Sequence, residues 1–123
     1  MNGRRIRTLV VDDDQDIAEL VRLALTDEGY EVVIASNGSA AIEAMQAAPF
    51  DLILLDMRMP VMDGWAFAEA YQSGPGPRAP VIVVTAARDA AERAAEINAD
   101  GHLAKPFSIE ELLDLVGRHV RRV

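Results

Sequence analysis

Residues 9–16 read LVVDDDQD, and this junction between apolar and acidic residues is the starting point for predicting the fold of the whole chain. The apolar run that ends at Val11 is typical of a strand buried on both faces. The next three residues, Asp12, Asp13 and Asp14, all carry carboxylates. Crowded carboxylates at the end of a buried strand repel one another, so they must share a proton or attract a positive charge. The junction therefore predicts a strand followed directly by a polar site.

Five short apolar runs, each bounded by turn or acidic residues, predict the strands of a buried sheet. They cover residues 8–11, 31–35, 52–55, 81–84 and 102–104. A short apolar run by itself also fits a buried helix segment, so the assignment depends on what lies between the runs. Each intervening segment has room for one helix, and this spacing favours strands.

The segments between the runs carry helical patterns. After the first run, apolar residues recur with a spacing of three or four, which predicts a helix that ends near Gly29. The stripe consists of Ile17, Leu20, Val21, Ala24 and Leu25. Further helices are predicted over residues 39–48, 64–71 and 88–97. A last helix begins with Ser108 and Glu111, which are spaced as a capping box. The residues that it is expected to bury are Ile109, Leu112, Leu113, Val116 and Val120.

Strand and helix thus alternate five times, and parallel strands joined by right-handed helical crossovers are the simplest arrangement of that pattern. We therefore predict an α/β protein with an open parallel sheet. Residues 73–80, SGPGPRAP, have the composition of a linker, but the segment is short and joins the third helix to the fourth strand, so we interpret it as a loop. With 123 residues, half of them apolar, the chain fits one domain over residues 1–123.

The composition narrows the classes of function. Twenty acidic and twelve basic side chains give a net charge of −8, which argues against direct binding to nucleic acid or to anionic lipid. The chain has no cysteine, which excludes disulfides, a thiolate nucleophile and a zinc-thiolate site. No apolar run approaches the length of a membrane span, so we expect a soluble cytoplasmic protein that makes no membrane contact.

Polar side chains follow four of the five predicted strands. The acidic triplet follows the first strand, Asp56 the third, Thr85 the fourth and Lys105 the fifth. In open parallel sheets the ligand site lies at this carboxyl edge, where the strand order reverses. If the first and third strands are neighbours, Asp12, Asp13 and Asp56 converge at that edge. Asp14 and Asp16 are excluded from the site, because they suit the N-cap and the first turn of the following helix.

An all-oxygen site with two or three carboxylates suits a hard cation, and Mg²⁺ fits it better than Ca²⁺ or Zn²⁺. Lys105 would add a second positive charge from the opposite side. Together, the ion, Lys105 and the Thr85 hydroxyl could hold a phosphoryl group. Asp56 would then be the nucleophile and form an acyl phosphate.

Four motifs carry a resemblance to a known family: VVDDD at residues 10–14, LLDMRMPVMDG at 54–64, VVTA at 83–86 and KPF at 105–107. In this order and spacing, the sequence resembles a response-regulator receiver domain of two-component signalling over essentially its full length. The resemblance implies a flavodoxin-like, doubly wound fold. Such a fold has a five-stranded parallel sheet in the order 2-1-3-4-5 with helices on both faces.

The same resemblance implies roles for individual residues. A histidine kinase or phosphotransfer protein would transfer a phosphoryl group from phosphohistidine to Asp56. Asp13, Asp56 and the backbone carbonyl of Arg58 would bind Mg²⁺ directly, whereas Asp12 would act largely through water. Thr85 and Lys105 would contact the phosphoryl group. Both residues would also assist the chain's own phosphorylation and dephosphorylation. The protein is therefore expected to be a phosphoacceptor and not an enzyme.

Further positions either match or depart from the family pattern. Pro60 and Gly64 match the loop that follows the acceptor, and Pro106 matches a cis-bonded proline. Position 102 is usually tyrosine or phenylalanine, an aromatic side chain that moves together with the threonine in the switch. Here it is His102, which suggests a weakened, altered or pH-sensitive switch, or a strand-end histidine with no switching role. The segment between Thr85 and Lys105 is slightly shorter than usual, which leaves the geometry of the fourth helix open.

Phosphorylation is expected to change the surface formed by the fourth helix, the fifth strand and the fifth helix, and thereby to control a downstream partner or an effector domain that this chain lacks. The C-terminal RHVRRV fits either the start of such a domain or a helix end whose basic residues complement the dipole. Arg58 and Ala87 flank the approach of water to the acceptor in this family, and neither is a good base. We therefore expect slow self-dephosphorylation.

Two other functions remain open at this stage. A phosphatase or phosphotransferase of the haloacid-dehalogenase kind also forms an aspartyl phosphate, but it needs an aspartate where this chain has Arg58. A receiver-like docking module that is never phosphorylated is the second alternative. Nucleotide binding is disfavoured, because no glycine-rich loop follows the first strand.

Overall fold

The computed structural model describes residues 5–74, 78–86 and 88–120, in which strand and helix alternate five times. The strands are β1 (Arg7–Val11), β2 (Glu31–Ala35), β3 (Leu52–Leu55), β4 (Val81–Ala86) and β5 (Gly101–Lys105). The helices are α1 (Gln15–Asp27), α2 (Gly38–Ala47), α3 (Gly64–Ser73), α4 (Ala90–Glu96) and α5 (Ile109–His119). The predicted α/β class and the alternation are confirmed.

All strand pairs are parallel, and their order in the sheet is β2-β1-β3-β4-β5. The chain first runs outward from β1 to β2, and then returns past β1 to β3 and the rest of the sheet. The strand order therefore reverses beside β1, which makes the carboxyl ends of β1 and β3 the switch point at which open α/β sheets place ligands.

A separate apolar core covers each face of the sheet. One core packs α2, α3 and α4 against the sheet around Met57, Phe67 and Ile97. The other packs α1 and α5 around Leu25 and Leu112. Successive side chains of a strand point to opposite faces, so a central strand such as β3 supplies both cores and is buried along its whole length. Helices thus lie on both faces, as the doubly wound architecture requires.

The expectation of strands buried on both faces is wrong for β2. Only Ala35 of this strand is buried, and Ile34 is 37% exposed. The reason is its place at the edge of the sheet, where it has a single neighbour, β1.

Two further burial predictions are wrong. Leu20 is 48% exposed because the buried stripe of α1 runs through Ala18, Val21 and Leu25, and Ile109 is 36% exposed at the first position of α5.

The helix termini follow the predicted local chemistry. The Asp14 carboxylate accepts hydrogen bonds from the backbone N–H groups of Asp16 and Ile17, which confirms it as the N-cap of α1. Ser108 and Glu111 form the predicted capping box of α5.

Of the sequence predictions, those on Ala87, on residues 75–77 of the loop and on residues 121–123 lie outside the described residues. Across the part of the chain that the structure describes, no helix has the length and apolar composition needed to cross a membrane.

Candidate functional site

Three carboxylates meet at the switch point. Asp12, Asp13 and Asp56 each offer an oxygen atom, and these atoms lie within 4.8 Å of one another. They meet because β1 and β3 are neighbours: the backbone N–H of Asp56 donates to the carbonyl of Val11 at 2.9 Å, which continues the ladder past the strand end. Asp12 and Asp56 are buried, whereas Asp13 is exposed. The cluster is thus open to solvent on one side.

Lys105 provides a positive charge beside these carboxylates. Its Nζ lies 3.0 Å from Oδ2 of Asp12 and 3.7 Å from Oδ2 of Asp56. The other oxygen of Asp12 accepts a hydrogen bond of 2.9 Å from the backbone N–H of Asp14. Asp12 is therefore held by two donors, while Asp56 lies farther from the ammonium group.

The environment of Asp56 favours its protonated form. Burial is the largest cause, and the negative charges of Asp12 and Asp13 add to it, so that the pKa of Asp56 rises from 3.8 to about 6. The ammonium of Lys105 and a hydrogen bond from the backbone N–H of Arg58 act in the opposite direction and lower this pKa, but they do not cancel the rise. One lysine thus leaves part of the repulsion among the three carboxylates uncompensated.

The donor set fits a divalent cation. All three side chains offer carboxylate oxygens within reach of one ion, and the negative charges of Asp12 and Asp13 add to burial in raising the pKa of Asp56. Oxygen ligands and few carboxylates, with one side open to water, are what Mg²⁺ prefers. The residues present therefore fit the predicted ion.

The remaining predicted site residues lie along the same edge or close to it. Thr85 is buried near the end of β4, and its Cα partner in β5 is Ala104, the residue before Lys105. This register places Thr85 beside the strand that carries the lysine. His102 lies three residues before Lys105, is exposed and pairs with Val83. The peptide bond between Lys105 and Pro106 is cis, as predicted.

The loop between β3 and α3 is shaped by two tight contacts. The backbone N–H of Gly64 donates to the carbonyl of Met57 at 2.9 Å, and a Cβ atom at Gly64 would lie only 2.6 Å from the sulfur of Met57. Only glycine allows this approach. After Pro60, the chain makes a γ-turn in which the N–H of Met62 donates to the carbonyl of Pro60 at 2.7 Å, and Val61 at its centre has a φ of 69°.

The contacts of the Arg58 side chain were not predicted from the sequence. Its guanidinium lies over the ring of Trp65, which in turn contacts Arg93 and Glu96 of α4. Arg58 belongs to one of the four motifs, but Arg93 and Glu96 are distant from it in sequence and belong to none of them, so the linear pattern held no signal for the cluster. The proximity of Trp65 to the acceptor loop was the only available hint.

A doubly wound parallel sheet with an acidic cluster at its switch point defines the structural class of this protein, and the comparisons specify the family. The family model described as the response regulator receiver domain matches residues 8–117. The chain belongs to this family and is a receiver domain of a response regulator in two-component signalling. Such domains are signalling proteins and not enzymes in the usual sense.

Two relatives show how far the similarity extends along the chain. Response regulator MprA of Mycolicibacterium vanbaalenii is 37% identical over 119 residues, which cover 95% of this chain and 51% of that protein. DNA-binding response regulator MtrA of Mycolicibacterium smegmatis is 34% identical over 124 residues, which cover 99% of this chain and 54% of that protein. The chain thus spans about half the length of these relatives.

Solved structures agree with the fold. Chemotaxis response regulator CheY4 of Vibrio cholerae superposes with a TM-score of 0.86 at 33% identity, covering 95% of this chain and all of that one. The receiver domain of a Francisella response regulator gives a TM-score of 0.81 at 30% identity, covering 93% of this chain and 95% of that one.

Proposed function

We propose that the chain is a phosphoacceptor switch in which Asp56 receives a phosphoryl group from the phosphohistidine of a histidine kinase or phosphotransfer protein. The observation that carries this proposal is the convergence of Asp12, Asp13 and Asp56 within 4.8 Å, with Lys105 alongside. The family match over residues 8–117 supports it. We extend the proposal to residues 1–123 as one receiver unit.

In the proposed reaction, a carboxylate oxygen of Asp56 attacks the phosphorus atom. The new P–O bond forms as the P–N bond of the donor breaks, and the electron pair of that bond returns to the imidazole nitrogen. The attack requires ionised Asp56, and a pKa of about 6 leaves this carboxylate mainly ionised at neutral pH. When bound by Asp13, Asp56 and the backbone carbonyl of Arg58, with Asp12 acting largely through water, Mg²⁺ would supply positive charge to the transferring phosphoryl oxygens.

Lys105 and Thr85 would stabilise the phosphoryl group from the side of β5 and β4. The Lys105 ammonium already lies 3.7 Å from a carboxylate oxygen of Asp56, so it is close enough to contact an oxygen of the product. The hydroxyl of Thr85, buried near the end of β4, would donate a hydrogen bond to another oxygen. The same two contacts would assist both formation and hydrolysis of the acyl phosphate.

The product would act on partners through the surface of α4, β5 and α5. Helix α4 supports this role because it has only 7 residues and its N-cap, Asp89, makes no side-chain capping hydrogen bond. Movement of Thr85 toward the phosphoryl group would act on the loop that leads to this helix. His102, exposed in β5, is the side chain through which an aromatic part of the switch would operate.

The partners follow from the same proposal. We infer that the receiver controls either a separate downstream protein or an effector domain of a longer protein. The relative named as DNA-binding, MtrA, has about twice the length of the matched region. The acidic charge of this chain argues against direct nucleic-acid binding by the receiver itself.

Labelling with acetyl phosphate tests the proposal directly. The protein is incubated with acetyl phosphate and Mg²⁺, and its intact mass is measured. We expect a gain of one phosphoryl group in the wild type and in Asp14→Asn, because asparagine also caps helices and Asp14 lies outside the acidic cluster. Asp56→Asn should gain nothing. Labelling of the Asp56→Asn variant, or an unlabelled wild type, would contradict the proposal.

The lifetime of the label and the surface change need separate measurements. We expect the label to persist beyond seconds in the purified protein, because Arg58 is a poor base, and rapid loss would refute this part. Beryllofluoride with Mg²⁺ should change hydrogen exchange within residues 86–104, and unchanged protection would count against the proposed surface. A phosphatase of small molecules is disfavoured, because Arg58 stands where such an enzyme needs its second carboxylate.

A further inference from the structure

Arg58 lies two residues after Asp56, and its side chain makes a specific contact outside the acidic cluster. Its guanidinium carbon is 5.7 Å from the ring centroid of Trp65, the second residue of α3. This distance is within the range of a cation–π interaction. The loop that carries the phosphoacceptor is therefore joined to α3 by a side-chain contact that the proposed reaction does not require.

The same indole ring also contacts α4. The guanidinium carbon of Arg93 lies 5.7 Å from the ring centroid, and Nε1 of Trp65 donates a hydrogen bond of 2.7 Å to Oε1 of Glu96. The second carboxylate oxygen of Glu96 accepts a hydrogen bond of 2.9 Å from Nη2 of Arg93. Glu96 thus connects the indole and the arginine, and the three side chains form a closed triangle.

Arg93 has few other ways to satisfy its charge. Its side chain is only 15% exposed, and among the described residues its Nε has no hydrogen-bond partner. It also forms an ion pair of 3.0 Å with Glu92 of the same helix. Loss of the indole ring or of the Glu96 carboxylate would therefore disturb Arg93, and with it the packing of α4.

We propose that Trp65 is a positioning residue that couples the phosphoacceptor loop to α4 by contacting Arg58 on the loop and the Arg93–Glu96 pair on the helix. This inference rests on the proposed function and adds a second connection between the site and the surface, separate from Thr85. These contacts hold the loop and the helix in one relative arrangement. Breaking them should therefore change the affinity of the site for a phosphoryl analogue, because a ligand shifts an equilibrium by its differential affinity for the phosphorylated and unphosphorylated states.

A double-mutant cycle between Arg58→Met and Glu96→Leu tests the coupling, because methionine has no cation for the ring and leucine has no acceptor for the indole N–H. The affinity for beryllofluoride at saturating Mg²⁺ is measured by calorimetry, and exchange of the α4 amides is measured without ligand. Each single variant should change the affinity by about two- to five-fold, the equivalent of one cation–π contact or hydrogen bond. The change in the double variant should be smaller than the product of the two single changes, because either substitution alone breaks the connection.

Trp65→Leu is the matched control for the route. Leucine has neither an aromatic face for Arg58 and Arg93 nor an N–H for Glu96, so the cycle repeated in this background should become multiplicative. No direct contact between Arg58 and Glu96 is present in the described part of the chain, so the coupling has no shorter route. Circular dichroism establishes that each variant is folded.

The outcomes separate the two proposals. A folded wild type that does not bind beryllofluoride would overturn the proposed function. A wild type that binds, with a multiplicative cycle between Arg58→Met and Glu96→Leu, would overturn the role of Trp65 alone. Faster exchange of α4 amides with unchanged affinity would also overturn it, because the cluster would then only stabilise the helix.

Discussion

Replacing Asp56 by asparagine should stabilise the metal-free protein at neutral pH. The folded structure raises the pKa of Asp56 from 3.8 to about 6, mainly because the carboxyl group is buried and secondly because Asp12 is negative. Its side chain is only 10% exposed, so solvent screens the group weakly. Asparagine has nearly the same shape and cannot ionise, so it removes the cost of the charge while the packing stays similar.

The sign and the size of the stability change caused by Asp56→Asn follow from proton linkage. A carboxyl whose pKa is raised in the folded state binds its proton more tightly there, so the folded state loses stability as pH rises from 3.8 to about 6. Below that window both states are protonated and the cost is absent; above it the cost is complete. A rise of about two units corresponds to roughly 3 kcal/mol, which is the largest gain expected from Asp56→Asn at pH 7.5.

Urea unfolding in the presence of a chelator measures this gain. We expect Asp56→Asn to exceed the wild type in stability by about 1–3 kcal/mol at pH 7.5 and by only a small part of this near pH 4. Asp13→Asn is the matched control and should gain less, because Asp13 is exposed. Saturating Mg²⁺ should narrow or reverse the difference, since an ion bound only by the folded state stabilises the wild type by mass action. A gain that does not vary with pH, or no gain at pH 7.5, would refute the electrostatic explanation.

Three smaller predictions can be measured in the same unfolding assay. Thr8→Val should stabilise the protein by about 1 kcal/mol, because Thr8 is fully buried and its hydroxyl has no hydrogen-bond partner among the described residues; a loss of stability would show that the hydroxyl is satisfied. Val61→Asn should also add about 1 kcal/mol, because asparagine tolerates the φ of 69° better than a β-branched residue, and Val61 is 86% exposed; a neutral result would mean that the turn is unstrained. Ser108→Ala should cost about 1 kcal/mol and speed amide exchange in the first turn of α5, and unchanged exchange there would contradict the role of the cap.

Local features were predictable from the sequence because local chemistry determines them. The N-cap at Asp14 and the capping box at Ser108 depend on residues within one helical turn, and both occur as predicted. The five strands were found because buried parallel strands have continuous apolar runs. Residue spacing alone could not supply the strand order; the family resemblance supplied it.

Burial was predicted less well, because it depends on neighbours that are distant in sequence. The apolar run at residues 31–35 resembles a central strand, yet β2 lies at the edge of the sheet and Ile34 is partly exposed. Leu20 fits the helical period of α1, but the two sides of that stripe are not equally covered by the sheet. In both cases the sequence pattern is ambiguous and the tertiary packing decides.

At the acidic site, too, some features could be predicted from the sequence and others depend on tertiary packing. We expected Asp12, Asp13 and Asp56 to meet if the first and third strands are neighbours, and the family resemblance supplied that order. The structure brings the three carboxylates together. The cluster around Trp65 could not be inferred in that way. It joins α3 and α4 through side chains alone, and their contact depends on the relative placement of two helices that no local pattern specifies.

The charge balance of the site explains why the acidic run that follows β1 is tolerated. Each of its three carboxylates has a different environment: Asp14 caps α1, Asp13 faces solvent, and Asp12 is held by the ammonium of Lys105. The residual cost therefore falls on Asp56, which comes from another strand and lies 3.7 Å from that ammonium. A divalent ion would remove this cost and keep Asp56 ionised, so the destabilised carboxylate is also the one that the proposed function requires to react.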